Sequence, residues 1–195
     1  REVIEVDAVT HRRDAIFHTI VPAALEHLLL GAIAKEASIL SFLRRSFPGV
    51  IDVHMPKGGV CRYHLYIKLR KRLEGEPSNV IMGGFAASAD IKYVVVVDED
   101  VDVHDPEKVE WAIATRFQAS RDLVVIPAAL GSRLDPSADN GISDKLGIDA
   151  TMPVKREGLD YTVVHIPGED DPALDRLVEP DDAVAPIVAM LQDDD

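Results

Sequence analysis

The chain has 195 residues, 47% of them hydrophobic, and a formal net charge of −13. A chain of this length can bury roughly 70% of its unfolded surface, which predicts one compact domain, or one domain with a tail. The acidic balance argues against nucleic-acid and anionic-membrane partners, because both kinds of binding depend on clustered Lys and Arg.

Three further features restrict the class of protein. Cys61 is the single cysteine, which excludes an intrachain disulfide and a multi-cysteine zinc site and favours a reducing, cytoplasmic location. No apolar run approaches the ~20 residues that a membrane helix needs. The chain also begins at Arg1, within a strand-like segment and without an initiator Met, so we expect it to be part of a larger protein.

The first part of the chain predicts three strands and one long helix. Alternating apolar residues predict a strand at 3–9, and helical spacing of apolar residues predicts a helix over 22–47. A short strand is predicted at 50–55, followed by a turn at 56–59. The clearest strand is 61–72, where apolar and polar residues alternate, so that one face lies in the core.

Helices and strands then alternate. We predict a helix at 78–88, a strand at 93–97, a helix at 106–116 and a strand at 123–126. Residues 128–147 are rich in Gly, Pro, Ser and Asp and are expected to be irregular, as functional loops of that length often are.

This order of elements predicts an α/β fold, with a mixed sheet and helices packed on it. The all-apolar run at 93–97 is typical of a central strand buried on both faces. Gly83 and Gly84 either weaken their helix or mark a close approach of another element.

The sequence after residue 151 is acidic, and we treat 152–195 as an extension. It has a candidate edge strand at 162–167 and a helical or partner-binding segment at 182–191.

An acidic cluster directly follows the apolar run; its members are Asp98, Glu99, Asp100, Asp102 and Asp105. A calcium loop is excluded, because Val103 and Val109 stand where that loop needs Gly and Glu. An apolar strand entering D-x-D is also found in metal-dependent glycosyltransferases. The simpler interpretation is that Asp105, before Pro106, caps the next helix.

Other candidate groups each have a structural alternative. Cys61 and His64 suggest a nucleophile with its base, but strand alternation would place them on opposite faces. The run His11, Arg12 and Arg13 either approaches an anionic substrate or another lobe, or forms a solvated polar turn.

Several long strings, taken together and in order, resemble the C-terminal half of UbiD-family decarboxylases, which use prenylated FMN. They are VTHRRDAIFHTI, EHLLLGAIAKEA, GGVCRYHLYIKL, VVVVDEDVDVHDPEKVEWAIATRFQASRDLVVIP, GSRLDPSA and SDKLGIDAT. The resemblance covers roughly residues 9–151. Lys145 and Asp149 lie in the last string, although a turn held by side-chain to backbone bonds would equally explain Asp149.

The resemblance implies a two-lobed enzyme that adds or removes CO2 at an unsaturated carbon of aromatic, heteroaromatic or α,β-unsaturated acids. In that family an N-terminal lobe holds prenylated FMN, a divalent metal and K+, together with the catalytic Arg and carboxylates. The family's E-G-P-F-G-E type stretch is not present in this sequence. We therefore expect no catalytic residue, no bound cofactor and no metal site in this chain alone.

The resemblance implies that residues 1–151 form a domain that closes over the active site and mediates oligomerisation. Its expected partners are the N-terminal flavin-binding lobe, further copies of itself and a small carboxylic acid substrate. Some relatives have a basic residue near 88–90 that could reach the cofactor phosphate; Ser88, Ala89 and Asp90 stand there in this chain.

By resemblance, the substrate-pocket candidates are Glu26, His27, Leu30, Ile91, Arg133 and Leu134. Their expected roles are water exclusion and substrate positioning. Five of them have an alternative: a polar surface residue of the helix for His27, an ordinary core residue for Leu30 and Leu134, strand entry for Ile91, and a surface ion pair for Arg133.

Three functional hypotheses follow from the sequence. The first is a C-terminal domain of a UbiD-like decarboxylase that is inactive alone. The second is a non-catalytic structural or interaction module with the same fold. The third is a D-x-D metal-dependent transferase that would use Asp98 and Asp100.

Overall fold

The structure is a computed structural model that describes residues 3–155, Tyr161 and Val163. The chain divides into two compact units, Arg1–Leu159 and Asp160–Asp195. All elements below belong to the first unit. Apart from Val163, the predicted strand at 162–167 and the predicted segment at 182–191 lie outside the described residues. Every helix in the described part is too short or too polar to span a bilayer.

Helices and strands alternate along most of the first unit. The helices are α1 (Leu25–Ser46), α2 (Glu76–Ala87), α3 (Pro106–Arg116) and the short α4 (Ala119–Asp122). The strands are β1 (Val50–His54), β2 (His64–Leu69), β3 (Tyr93–Asp98), β4 (Leu123–Leu130) and β5 (Ile142–Ala150). A single 3-10 turn, Lys57–Gly59, joins β1 to β2 within the described residues.

The described strands form one mixed sheet in the order β1-β2-β3-β5-β4. The three central strands are parallel, and each edge strand is antiparallel to its neighbour. Helices α1 and α2 contribute to the core on one face, and α3 contributes to the core on the other. The predicted α/β architecture is confirmed.

Strand β3 lies at the centre of this sheet and is buried on both faces, as its all-apolar sequence predicts. Val94 and Val96 belong to the core shared with α1 and α2, whereas Val95 and Val97 belong to the core shared with α3. Apolar side chains are needed on both faces because neither face of this strand reaches water.

Glycine allows α2 to approach its neighbours closely. A Cβ atom on Gly83 would lie 2.5 Å from a ring carbon of Phe47, and one on Gly84 would lie 3.3 Å from Ile67 and Val94 side-chain atoms. The alternative that these glycines mark a close approach is therefore confirmed. Helix α1 also begins later than predicted, at Leu25, because Ala23 has a left-handed φ of 63°.

The predicted strand at 3–9 is wrong for the described residues. They form no regular element, and Val3, Ile4, Val6 and Val9 are exposed. Alternation alone does not make a strand, because the backbone also needs a neighbouring strand with which to form hydrogen bonds.

The predicted irregular segment at 128–147 is wrong at both ends and confirmed for residues 131–141. Strand β4 continues to Leu130 and β5 begins at Ile142, so only the loop 131–141 separates them. A register shift after Ile126 interrupts the pairing, and there Ala128 N donates a 2.8 Å hydrogen bond to Asp144 Oδ1. The bulge carries the strand past Pro127, whose missing N–H cannot join a ladder.

Candidate functional site

The acidic cluster after β3 is a structural ion-pair network. Asp98 is buried and accepts hydrogen bonds from Arg116 Nη1 at 2.9 Å and Met152 N at 2.7 Å. Asp100 binds the same guanidinium, with 2.7 Å between Arg116 Nη2 and Oδ2. Burial raises the pKa of Asp98. The network ties the end of β3 to the last turn of α3.

The remaining acidic residues of the cluster do not create a metal site. Asp105 accepts hydrogen bonds from Glu107 N and Lys108 N, so the predicted helix cap is confirmed. Within the described residues, no group of three or more His, Cys, Asp or Glu could hold a metal ion. Because Arg116 occupies both Asp98 and Asp100, the geometry argues against the D-x-D transferase.

Cys61 does not have the environment of a catalytic nucleophile. Its thiol is buried, and burial raises the pKa of that thiol, whereas a nucleophilic cysteine needs a lowered one. The prediction that Cys61 and His64 share one strand is wrong, because Cys61 precedes β2 in a turn where its φ is 49°.

The pocket candidates of α1 lie at its exposed first turns. His27 Nδ1 accepts a 2.9 Å hydrogen bond from Ala23 N, so this ring holds the turn that precedes the helix. Glu26 is exposed, and Leu30 is 55% exposed. The alternative that Leu30 is an ordinary core residue is therefore wrong.

Ile91 differs from the other candidates because its side chain is fully buried, at 0% exposure, in the core shared by α1 and α2. In this structure it faces neither solvent nor a cleft, so its side chain is a core residue at the entry to β3. Its backbone carbonyl accepts a 2.7 Å hydrogen bond from Lys145 Nζ. The strand-entry alternative describes Ile91 better than a pocket wall does.

Arg133 and Leu134 lie in the loop 131–141 between β4 and β5. Arg133 lines an open cleft of about 480 Å³ with Ala138, Asn140 and Gly141. Leu134 is 70% exposed, which excludes an ordinary core role in this structure. Its amide donates to Ser132 Oγ at 3.3 Å.

Charged side chains converge on residues 89–92, which we call the 89–92 junction. Lys35 Nζ lies 2.6 Å and Arg62 Nη1 lies 3.3 Å from Asp90 Oδ2. Lys92 Nζ lies 2.6 Å from Asp135 Oδ2, and Lys145 Nζ donates to the carbonyl of Ala89 at 3.0 Å. Through these contacts α1, the loop 131–141 and β5 all attach to the connection between α2 and β3.

Sequence reasoning missed most of this junction. Lys35, Lys92 and Asp135 carry no local motif, and their partners are 43 or more residues away along the chain. The only signal was that Lys35, Asp135 and Lys145 stand inside the strings EHLLLGAIAKEA, GSRLDPSA and SDKLGIDAT, which name no contact between them. Burial lowers the pKa of the Lys145 amine, which donates hydrogen bonds to two backbone carbonyls, those of Ala89 and Ile91.

Residues 88–90 do not fit the phosphate of a flavin mononucleotide. Burial alone would raise the pKa of Asp90, but its hydrogen bonds with Lys35 and Ser132 and the charges of Lys35 and Arg62 together lower it, so the group is a carboxylate. A carboxylate repels a phosphate, and this one already pairs with the two cations beside it, Lys35 and Arg62.

Two other candidates are explained by local bonds. Asp149 accepts hydrogen bonds from Thr151 N at 3.0 Å and Thr151 Oγ1 at 2.6 Å, which confirms the turn interpretation. Arg12 pairs with Asp14 at 3.3 Å in an exposed turn, as the solvated alternative predicts.

Comparison with known proteins gives the chain its family. A sequence profile described as the 3-octaprenyl-4-hydroxybenzoate carboxy-lyase C-terminal domain matches residues 28–150. The anhydromevalonate phosphate decarboxylase of Aeropyrum pernix is 46% identical over 166 residues, a match that covers 85% of this chain and 38% of the relative. The chain thus spans little more than a third of that relative's length.

Solved structures agree with this assignment. The UbiD-class enzyme HmfF from Pelotomaculum thermopropionicum, in complex with FMN, matches with a TM-score of 0.79 and 49% identity, covering 85% of this chain and 37% of that one. An evolved dimeric form of the same enzyme, in complex with prFMN, matches with a TM-score of 0.67 and 44% identity, covering 83% and 33%. The chain belongs to the UbiD family of carboxy-lyases and corresponds to the family's C-terminal domain.

Proposed function

We propose that this chain is the C-terminal domain of an enzyme that catalyses reversible, non-oxidative decarboxylation of an aromatic, heteroaromatic or α,β-unsaturated carboxylic acid. The observation that carries the proposal is the similarity to a UbiD-class enzyme in complex with FMN, at a TM-score of 0.79 and 49% identity. The third hypothesis, a D-x-D transferase, loses support because Arg116 binds both of its carboxylates.

In this proposal the N-terminal lobe performs the chemistry, and this chain contributes residues to the substrate pocket. The N-terminal lobe holds prenylated FMN, with its divalent metal and K+, and supplies the acid and base groups. Prenylated FMN bound in that lobe would supply the electron sink that loss of CO2 needs. Since residues 88–90 and the acidic cluster do not suit a phosphate or a metal, we assign neither function to these residues.

The side chains that this chain would bring to the pocket are those that stay exposed on α1 and on the loop 131–141. They are Glu26, His27, Leu30, Arg133 and Leu134. Apolar groups such as Leu30 and Leu134 would exclude water from the reacting carbon, and Arg133 would orient an anionic substrate. Their exposure supports this role, because a wall that closes over another lobe is open to solvent when that lobe is absent.

Association with other copies or with the flavin-binding lobe is proposed from a row of exposed apolar side chains on the β4–β5 hairpin. Its members are Leu123, Val125, Leu130, Ile142 and Leu146. Val125 pairs with Leu146 across the two strands, so these two side chains share one face of the sheet. Exposed apolar side chains that are neighbours across two strands are typical of interaction surfaces.

A chimera tests the proposed function. The matching segment of HmfF would be replaced by residues 9–151 of this chain, expressed, and reconstituted with prenylated FMN. We expect the flavin to bind and CO2 to be released from at least one acid in a panel of anhydromevalonate phosphate and aromatic or heteroaromatic acids. Unmodified HmfF is the control for cofactor loading.

Two results would contradict the proposal. A chimera that binds prenylated FMN stoichiometrically but releases CO2 from no acid, including those that HmfF decarboxylates, would favour the non-catalytic module. Stoichiometric flavin binding with turnover by the 195-residue chain alone would refute the division of work between two lobes.

A further inference from the structure

We propose that Lys92 and Asp135 form a positioning device that fixes the loop 131–141, and so determines how Arg133 and Leu134 meet the substrate. This inference rests on the proposed function for its effect on substrate, and on contacts within this chain for its effect on the loop. Neither residue is expected to touch the reacting atoms.

Lys92 is a rigid anchor because its backbone is held from both sides. Its N–H donates to the carbonyl of Tyr63 at 2.9 Å, and its carbonyl accepts from Leu146 N at 2.8 Å. The residue therefore bridges the entry of β3 to the segment before β2 and to β5. A side chain that starts from such a fixed backbone loses less conformational entropy when it binds a loop.

Asp135 organises the loop around the Lys92 ammonium. Asp135 Oδ2 lies 2.6 Å from Lys92 Nζ, and its Oδ1 accepts hydrogen bonds from Ser137 N at 3.0 Å and Ser137 Oγ at 2.8 Å. Ser137 Oγ also lies 2.6 Å from Lys92 Nζ. The Asp135 side chain is only 5% exposed, so its charge depends on this partner.

Arg133 lies two residues before Asp135, and Leu134 lies one residue before it. Asp135 N donates to the Ser132 carbonyl at 3.2 Å, which closes a tight turn around the two residues between them. The ion pair therefore sets the position of the turn that presents Arg133 and Leu134, although neither of these side chains needs to contact Lys92.

The same junction also attaches α1, the helix that carries Glu26, His27 and Leu30. Lys35 on α1 binds Asp90 at 2.6 Å, and Asp90 is two residues from Lys92. Leu30 is five residues before Lys35 on that helix, a distance of about 7.5 Å along its axis. The helix α1 and the loop 131–141, which carry the candidate pocket residues, are thus both attached to residues 90–92. This shared attachment would keep the spacing between the two groups of candidates constant.

Hydrogen exchange on the 195-residue chain tests the effect on the loop. The variants are Lys92→Met and Asp135→Asn; Lys92→Arg keeps the charge. We expect amides of residues 131–141 to exchange at least about tenfold faster in the first two variants, as expected from loss of one charge-assisted hydrogen bond. Lys92→Arg should restore slow exchange in large part.

Glu99→Gln is the matched control. It removes an exposed ion pair with Arg70, at 2.7 Å, just beyond the opposite end of β3, and should leave exchange in the loop unchanged. Unchanged exchange of the loop in both Lys92→Met and Asp135→Asn would overturn the proposal, as would equal acceleration by the control.

Kinetics of the chimera then separate positioning from a merely structural role. We expect Lys92→Met and Asp135→Asn to raise KM about tenfold with less than about a threefold change in kcat, because the effect is on substrate binding. Faster exchange with unchanged KM would overturn the role in substrate positioning. An unmodified chimera that binds prenylated FMN stoichiometrically but releases no CO2 would contradict the proposed function instead. The exchange experiment would still decide whether the pair fixes the loop.

Discussion

Replacement of Gly147 by alanine tests how α2 packs on β5, the strand that carries Lys145. A Cβ atom on Gly147 would lie 2.2 Å from Ile81 Cγ2 and 3.3 Å from Val124 Cβ. Carbon atoms in contact are normally at least ~3.5 Å apart, so the overlap with Ile81 is about 1.3 Å. Ile81 is fully buried and cannot rotate into solvent. We expect Gly147→Ala to lower the free energy of unfolding by about 3 kcal/mol.

A double-mutant cycle isolates the cause. Ile81→Ala removes the clashing methyl group and should by itself cost about 3 kcal/mol, as for other buried aliphatic side chains. If the clash explains the first variant, the double variant should cost about 3 kcal/mol rather than the sum of about 6 kcal/mol. The coupling energy between the two positions is then about 3 kcal/mol.

Urea unfolding followed by the fluorescence of Trp111, the single tryptophan, measures these free energies. Gly31→Ala is the control, because a Cβ atom there meets no other atom within 4 Å. Gly31 lies within α1, so this variant should stabilise the chain by about 0.5–1 kcal/mol. A Gly147→Ala variant as stable as the parent, or additive costs in the cycle, would refute the packing argument.

Three further predictions concern the β3–α3 connection and the pH response. Asp105→Ala should lower the free energy of unfolding by about 1 kcal/mol through loss of the helix cap, measured by urea unfolding. Arg116→Met should lower the free energy of unfolding by about 3–5 kcal/mol, because Asp98 would remain buried without its cation. Because Arg116 already binds Asp98 and Asp100, added Mn2+ should leave the Tm of the parent chain unchanged. Burial, and then the charge of Lys92, lower the pKa of His64, so the free energy of unfolding should decrease as pH falls from 6.5 through that lowered pKa. Lys92→Met should raise the pKa of His64 in an NMR titration; an unchanged value would contradict the proximity of the two groups.

Local sequence predicted the elements whose signal is complete within one segment. The run at 93–97 identified the central strand, because only a strand buried on both faces needs apolar residues at every position. Asp105 and Pro106 identified the start of α3, because a cap and a proline act on the nearest turn alone.

Elements that depend on a neighbour were predicted poorly. Residues 3–9 alternate as a strand should, but the described structure provides no partner for them. Strand β5 is the opposite case. Its polar residues and Gly147 give no strand signal in the sequence, yet it is a strand because it pairs with β3 on one side and β4 on the other. Backbone pairing, rather than composition, makes it a strand.

The sequence by itself therefore determined the family, the layered α/β class and the cap of α3. Family resemblance is carried by long strings in a fixed order, and a helix cap depends on neighbouring residues alone, so neither requires the tertiary structure. Tertiary structure alone decided that Asp98 and Asp100 bind Arg116, that Ile91 belongs to the core, and that Lys92 reaches Asp135. The physical reason is the same in each case. A side chain's charge partner and burial depend on residues that are distant in sequence and are brought together only when the sheet assembles.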